Sequence, residues 1–129
     1  MKGEKWNGKG KEYNSYSDRL IFEGEYLNGK RNGYGREYNF ENKIEFEGEY
    51  LNGKRNGKGK EYHSNDKLKY EGEYLNGKRH GRGMECIRDG DVIFEGEYLN
   101  GKRHGKGIEY DRDGNIIFEG EYSDGDAIK

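Results

Sequence analysis

Lys30-Arg31, Lys54-Arg55, Lys78-Arg79 and Lys102-Arg103 recur at a step of 24 residues, each pair directly after Asn-Gly. Doubled cations on a turn are the chemistry of anion recognition, suited to lipid phosphates or to the acidic surface of a partner. Glutamates recur at the same step, two per copy on one side of an alternating run, as in Glu47 and Glu49. Paired carboxylates on one face are what general acid–base work requires. Here the pair returns in every copy with basic residues opposite it, whereas catalysis needs one asymmetric constellation. The pattern argues against an enzyme.

The remaining candidates read as structure. His80 and His104 hold equivalent places in adjacent copies, about 9–10 Å apart, whereas two nitrogens on one zinc lie within about 4 Å. His63 lies in a linker near the opposite edge, so no metal is assigned. Asp111-x-Asp113-Gly114 has its glycine fourth, whereas a calcium loop needs it sixth with a glutamate at twelve, so it is a turn. The Gly-x-Gly steps precede no helix and cradle no phosphate, and no cofactor is expected. Cys86, the one cysteine, takes the place held by Tyr38, Tyr62 and Tyr110 and reads as a structural substitution. It excludes an intramolecular disulfide and suits a reducing compartment.

These residues belong to units whose opening aromatic falls at positions 22, 46, 70, 94 and 118. A fixed period of this size marks a repeat architecture. With 39% charged residues, 29% hydrophobic residues and a mean hydropathy of -1.44, the bulk composition lies near that of disordered chains. The absence of proline and the fixed placement of 12 Tyr and 5 Phe argue instead for order with a thin core. A net charge of -2 supplies no bulk field for nucleic acid. No run of 18 apolar residues exists and MKGEKWNGKG lacks a signal-like apolar stretch, so a cytoplasmic location is expected, at most peripheral to a membrane.

Within a unit, Ile44-x-Phe46-x-Gly48-x-Tyr50 alternates with Glu45, Glu47 and Glu49, the period of a half-buried strand. Asn52-Gly53 signals a hairpin, and residues 57–62 form its second strand. The expected fold is all-β: an elongated, twisted, single-layer antiparallel β-meander of repeated hairpins. It forms one domain over residues 1–129. Residues 1–21 are a degenerate unit, 22–45, 46–69, 70–93 and 94–117 are full units, and 118–129 are partial. In the first, Lys5-Trp6-Asn7-Gly8-Lys9 is aligned with YLNGK, with four residues lost before Gly10-Lys11-Glu12-Tyr13. Charge pairing selects a four-residue loop at 52–55, with Tyr50 opposite Gly57, Gly48 opposite Gly59, Glu49 facing Lys58 and Glu47 facing Lys60. Three ladders then form the core: Leu20, Ile44, Leu68, Val92 and Ile116; the 22-series aromatics; and the 26-series tyrosines.

The run YEGEYLNGKRHGRG resembles the MORN family (membrane occupation and recognition nexus), whose hallmark is aromatic-EGE-aromatic, NGK, then G-x-G. The likeness covers residues 22–125 well and 1–21 in part. It implies a single-layer sheet acting as a scaffold or interaction module, with phospholipid binding and dimer formation known among relatives. Two departures stand out. The unit has 24 residues where the family usually has 23, and Tyr fills a second-strand position that is usually Trp. A β-bulge is expected to return Tyr62 to the aromatic face. The longer unit also resembles hairpin repeats of bacterial antitoxin-like proteins.

Two surfaces are candidate binding sites. One is the basic ridge of Lys30, Arg31, Lys54, Arg55, Lys78, Arg79, Lys102 and Arg103, opposite linkers carrying Glu41, Asp66, Asp89, Asp91, Asp111 and Asp113. It reads either as an anion-binding edge or as solvated turns that discourage aggregation. The other is the aromatic face: Phe22, Tyr26, Phe46, Tyr50, Tyr70, Tyr74, Phe94, Tyr98, Phe118 and Tyr122. It reads either as an exposed stripe for a protein partner or second copy, or as a self-sufficient ladder. The expected function is a non-enzymatic protein-binding scaffold. The alternatives are anionic-lipid binding through the ridge and antitoxin-like neutralisation of a partner protein.

Overall fold

The computed structural model describes residues 6–129. Its strands are β1 (Gly8–Tyr13), β2 (Leu20–Leu27), β3 (Lys30–Tyr38), β4 (Ile44–Leu51), β5 (Lys54–Tyr62), β6 (Leu68–Leu75), β7 (Lys78–Cys86), β8 (Val92–Leu99), β9 (Lys102–Tyr110), β10 (Ile116–Ser123) and β11 (Asp126–Ala127). They form one open eleven-stranded antiparallel sheet in chain order. A meander of this kind needs only short turns, because every strand pairs with its neighbours in sequence.

The hairpin turn is tighter than charge pairing suggested. Leu51 pairs with Lys54 and Tyr50 with Arg55, so Asn52-Gly53 is a two-residue turn. Both residues have positive φ, 50° and 87°, the geometry whose twist matches a right-twisted ribbon. Gly48–Gly59 and Glu47–Lys60 still pair as expected, because residues 56–58 bulge opposite Glu49. Gly57 sits in this bulge at φ 103°, where a side chain would be strained. The expected partners of Tyr50 and Glu49 are therefore corrected. Gly57 instead pairs with Tyr74, and Lys58 with Glu73, across to the next hairpin.

A second irregularity separates successive units. Glu61 pairs with Tyr70 and Tyr62 with Leu68, leaving Lys69 as the extra residue. The bulge thus lies on the facing strand, and Tyr62 does not return to the aromatic face. Its hydroxyl donates to Glu47 at 2.7 Å on the other side of the sheet. Leu68, paired with Tyr62, is displaced with it. Leu20, Ile44, Leu68 and Val92 are only half-buried and Ile116 is 56% exposed, so this ladder is not part of the core.

The N-terminal unit is also better preserved than the sequence suggested. The Trp6 carbonyl accepts the Gly29 N–H at 2.9 Å, as the Arg31 carbonyl accepts that of Gly53 at 2.8 Å. Asn7 Oδ1 accepts the Asn28 N–H at 2.9 Å, as Asn56 does that of Asn76 at 3.1 Å. Residues 6–13 therefore match 31–38 without a gap, and Trp6 stands in the arginine position. Lys5, which the YLNGK alignment also used, lies outside the described residues.

Candidate functional site

The ring face builds itself from glycine outward. Gly24, Gly35, Gly48, Gly59, Gly72, Gly83, Gly96 and Gly107 line up across the sheet. A Cβ on Gly59 would lie 2.6 Å from Phe46 Cε1 and 3.1 Å from Tyr74 Cε1. Bare backbone therefore lets the rings lie flat against the sheet, and a single layer can bury them. Phe22, Phe46, Tyr70 and Phe94 have 0% exposure, and Tyr26, Tyr50, Tyr74, Tyr98 and Tyr122 have 2–6%.

The two aromatic series interleave instead of forming separate ladders. Tyr50 packs edge-on against both Phe46, at 5.7 Å, and Phe22 of the preceding unit, at 5.1 Å. The same zigzag continues through Tyr74, Tyr70, Tyr98, Phe94 and Tyr122 to Phe118. Edge-to-face pairs contribute about 0.5–1.5 kcal/mol beyond burial.

Arginines cover the rings. The Arg55 guanidinium lies 4.1 Å from the Phe46 centroid and grips Glu37 of the preceding unit with two hydrogen bonds, at 2.9 and 3.0 Å. The Tyr50 hydroxyl donates to the same carboxylate. Arg31–Glu12–Tyr26, Arg79–Glu61–Tyr74 and Arg103–Glu85–Tyr98 repeat this arrangement. At the C-terminal end Ala127 takes the arginine position opposite Tyr122, and Glu109 is left with Tyr122 at 2.6 Å and the more distant Arg103 at 3.7 Å.

These contacts tune the charges. Burial opposes ionisation of Glu37, but the hydrogen bonds from Arg55 and Tyr50 outweigh it and hold its carboxyl below the usual range. Glu12, Glu61 and Glu85 are lowered in the same way. Burial, reinforced by the Glu37 carboxylate, raises the Tyr50 hydroxyl far above its ordinary value.

The predicted sites are thus redistributed. Lys30, Lys54, Lys78 and Lys102 are exposed along one long edge, as the ridge requires. Arg31, Arg55, Arg79 and Arg103 fold over the ring face and are engaged. The aromatic residues are brought together as one cluster, yet they form a closed core and not an open stripe. Only Phe118, at the end of the series, is partly open. The carboxylates that tie the units together, Glu12, Glu37, Glu61, Glu85 and Glu109, were missed. Their signal was their recurrence one place before Tyr13, Tyr38, Tyr62, Cys86 and Tyr110.

The opposite face carries two rows of charge. Lys9, Glu25, Tyr34, Glu49, Lys58, Glu73, Arg82, Glu97, Lys106 and Glu121 form one row. The other runs Lys11, Glu23, Arg36, Glu47, Lys60, Glu71, Met84, Glu95, Ile108 and Glu119. On the linker edge, Asp111 accepts the N–H groups of Asp113 and Asn115, both at 2.9 Å, which makes that segment an aspartate-capped turn.

Among the described residues, no helix is long and apolar enough to cross a membrane. No curated protein sequence matches the chain. The MORN repeat pattern, however, matches residues 22–39, 46–67, 70–92 and 94–116, which is most of the sheet. Hairpins joined edge to edge by this repeated motif identify the chain as a member of the MORN-repeat family, whose repeats serve generally as non-catalytic protein or membrane interaction modules.

Proposed function

We propose that this chain is a non-enzymatic scaffold that binds a protein partner, works in the cytoplasm and requires no cofactor. The observation that supports this reading is the closure of the ring face. A sheet whose aromatics are satisfied by their own glycines, arginines and glutamates needs no second layer. Its opposite face and long edges are then free for a partner. Contact through the aromatic series is confined to its open end at Phe118, beside the exposed Ile117.

A second reading, binding of anionic phospholipid, is favoured by one feature. Lys30, Lys54, Lys78 and Lys102 are exposed on one edge, and each would contribute about 1 kcal/mol near an anionic surface. Flotation with phosphatidylserine vesicles, sedimentation velocity and affinity capture on one preparation separate the two. Scaffold binding predicts no flotation and a specific captured protein that is retained after all four lysines are changed to serine. Flotation that is reversed by salt and abolished by those changes, with no captured protein, would replace it with the lipid reading. Sedimentation velocity on that sample also tests whether a second copy occupies the free surfaces.

A further inference from the structure

On the face opposite the rings, one row changes character halfway along. From Lys11 to Glu71 it alternates cation and anion: Glu23 lies between Lys11 and Arg36, and Glu47 between Arg36 and Lys60. Beyond Glu71 the cations are replaced. Glu95 lies between Met84 and Ile108, and Glu119 beside Ile108. Neither Glu95 nor Glu119 has an ion-pair partner among the described residues, whereas Glu47 reaches Arg36 at 3.8 Å. The parallel row keeps its pairs, with Arg82 opposite Glu97 and Lys106 opposite Glu121. The change is thus confined to one row, and it leaves carboxylates and apolar side chains alternating.

We propose that Glu71, Met84, Glu95, Ile108 and Glu119 form a docking strip for a basic amphipathic helix of a partner protein. The proposal rests on the protein-binding reading above and names the chemistry of the partner. The strip's carboxylates are two strands apart, about 9–10 Å, with an apolar side chain near each midpoint. A helix rises 1.5 Å per residue, so lysines at i, i+7 and i+14 fall about 10.5 Å apart, with leucines at i+3 and i+4 between them. Cation then meets the unpaired Glu95 and Glu119, and Glu71 where it competes with Lys60, 3.9 Å away, while leucine meets Met84 and Ile108. The N-terminal half cannot serve, because Arg36 and Lys60 both neutralise its carboxylates and repel the helix's cations.

The test uses a synthetic helix with lysine at i, i+7 and i+14 and leucine at i+3, i+4, i+10 and i+11, titrated into the full chain by fluorescence anisotropy. Met84→Lys with Ile108→Lys introduces the residue that the equivalent position 60 of an earlier unit already holds, so the double variant keeps the fold; circular dichroism checks this. The expected result is saturable one-to-one binding that weakens with salt and falls at least about tenfold in the double variant. Absence of saturable binding, equal binding by the double variant, or equal binding of a shuffled peptide overturns the proposal. If the double variant also retains the protein captured by the native chain, only the strip is wrong and the scaffold reading stands. If the native chain captures no protein, the scaffold reading itself fails.

Discussion

The two faces of this sheet repeat with different strictness. On the ring face the aromatic, glycine and glutamate positions return in unit after unit, with Tyr70 in a Phe position as the main variation. Tyr70 is accommodated by donating its hydroxyl to the Glu73 carbonyl at 3.1 Å. On the opposite face, position 36 is Arg, 60 Lys, 84 Met and 108 Ile. Interlock accounts for the difference. Each inner ring on the first face, such as Tyr50, touches rings of its own and a neighbouring unit, and Glu12, Glu37, Glu61 and Glu85 each hold a tyrosine and an arginine of the next unit. A change is therefore felt across a boundary. Exposed charges on the second face make weak, screened pairs that can be exchanged singly.

The sharpest test of this contrast is removal of an interlocked ring. Phe46→Ala should cost about 3–5 kcal/mol, because it leaves a cavity beneath Arg55 and detaches Tyr50 and Tyr74. Phe118→Ala, at the end of the series with Tyr122 as its one ring contact among the described residues, should cost clearly less. Urea denaturation of both variants measures the difference. Equal losses would mean that burial alone, and not interlock between units, governs the ring face. Gly59→Ala should follow at about 1–3 kcal/mol, since its Cβ would enter the Phe46 ring and no flexible atom can yield.

That glycine row marks how far the sequence could be read. Period, strand alternation and the glycine-under-ring relation were visible because they recur at fixed spacing. The hairpin register was not, because pairing Glu49 with Lys58 as well as Glu47 with Lys60 implies a wide loop. The chain satisfies Glu47–Lys60 with a two-residue turn and a glycine bulge, and sends Lys58 to Glu73. A bulge exchanges which face a residue serves, and no periodicity within one strand reveals it. The same limit moved Tyr62 off the ring face and put Glu61 on it, and with Glu61 went the destination of the arginines. Lys and Arg look alike on a turn, but only arginine's planar fork can stack on a ring while gripping a carboxylate.

Arg79→Met therefore tests a smaller but more specific part of the contrast. It leaves the Glu61 carboxylate, which also accepts from Tyr74, without the guanidinium that grips it, and a loss of about 1–3 kcal/mol is expected. Exchanging Glu61 for Gln in the same chain should recover part of it. Acid and alkali probe all such clusters together. The carboxyls of Glu12, Glu37, Glu61 and Glu85 are lowered from 4.5 in the folded chain, so their contribution is complete above that value and is lost as pH falls through the lower folded values. The hydroxyls of Tyr26, Tyr50, Tyr74 and Tyr98 are raised from 10.0, so their contribution is complete below it and is lost as pH rises beyond it. Denaturant midpoints across pH should form a plateau bounded by these limits. Glu61→Gln should make the acid limb shallower, and an unchanged limb would place the titrating groups elsewhere.

The smallest effect belongs to the face that varies. Lys60 lies 3.9 Å from Glu71, and both side chains are about half exposed. Lys60→Met reproduces at position 60 what position 84 already holds, and an exposed pair of this kind contributes about 0–1 kcal/mol. Its stability change should therefore lie within about 0.5 kcal/mol, far below that of Phe46→Ala, although Phe46 pairs with Glu61, the residue next to Lys60. A loss comparable with that of Arg79→Met would show that the charge rows hold the sheet together as firmly as the rings do. A null effect on stability, combined with new affinity for the basic helix in the N-terminal half, would show that the repeat keeps one face for folding and leaves the other free to diversify.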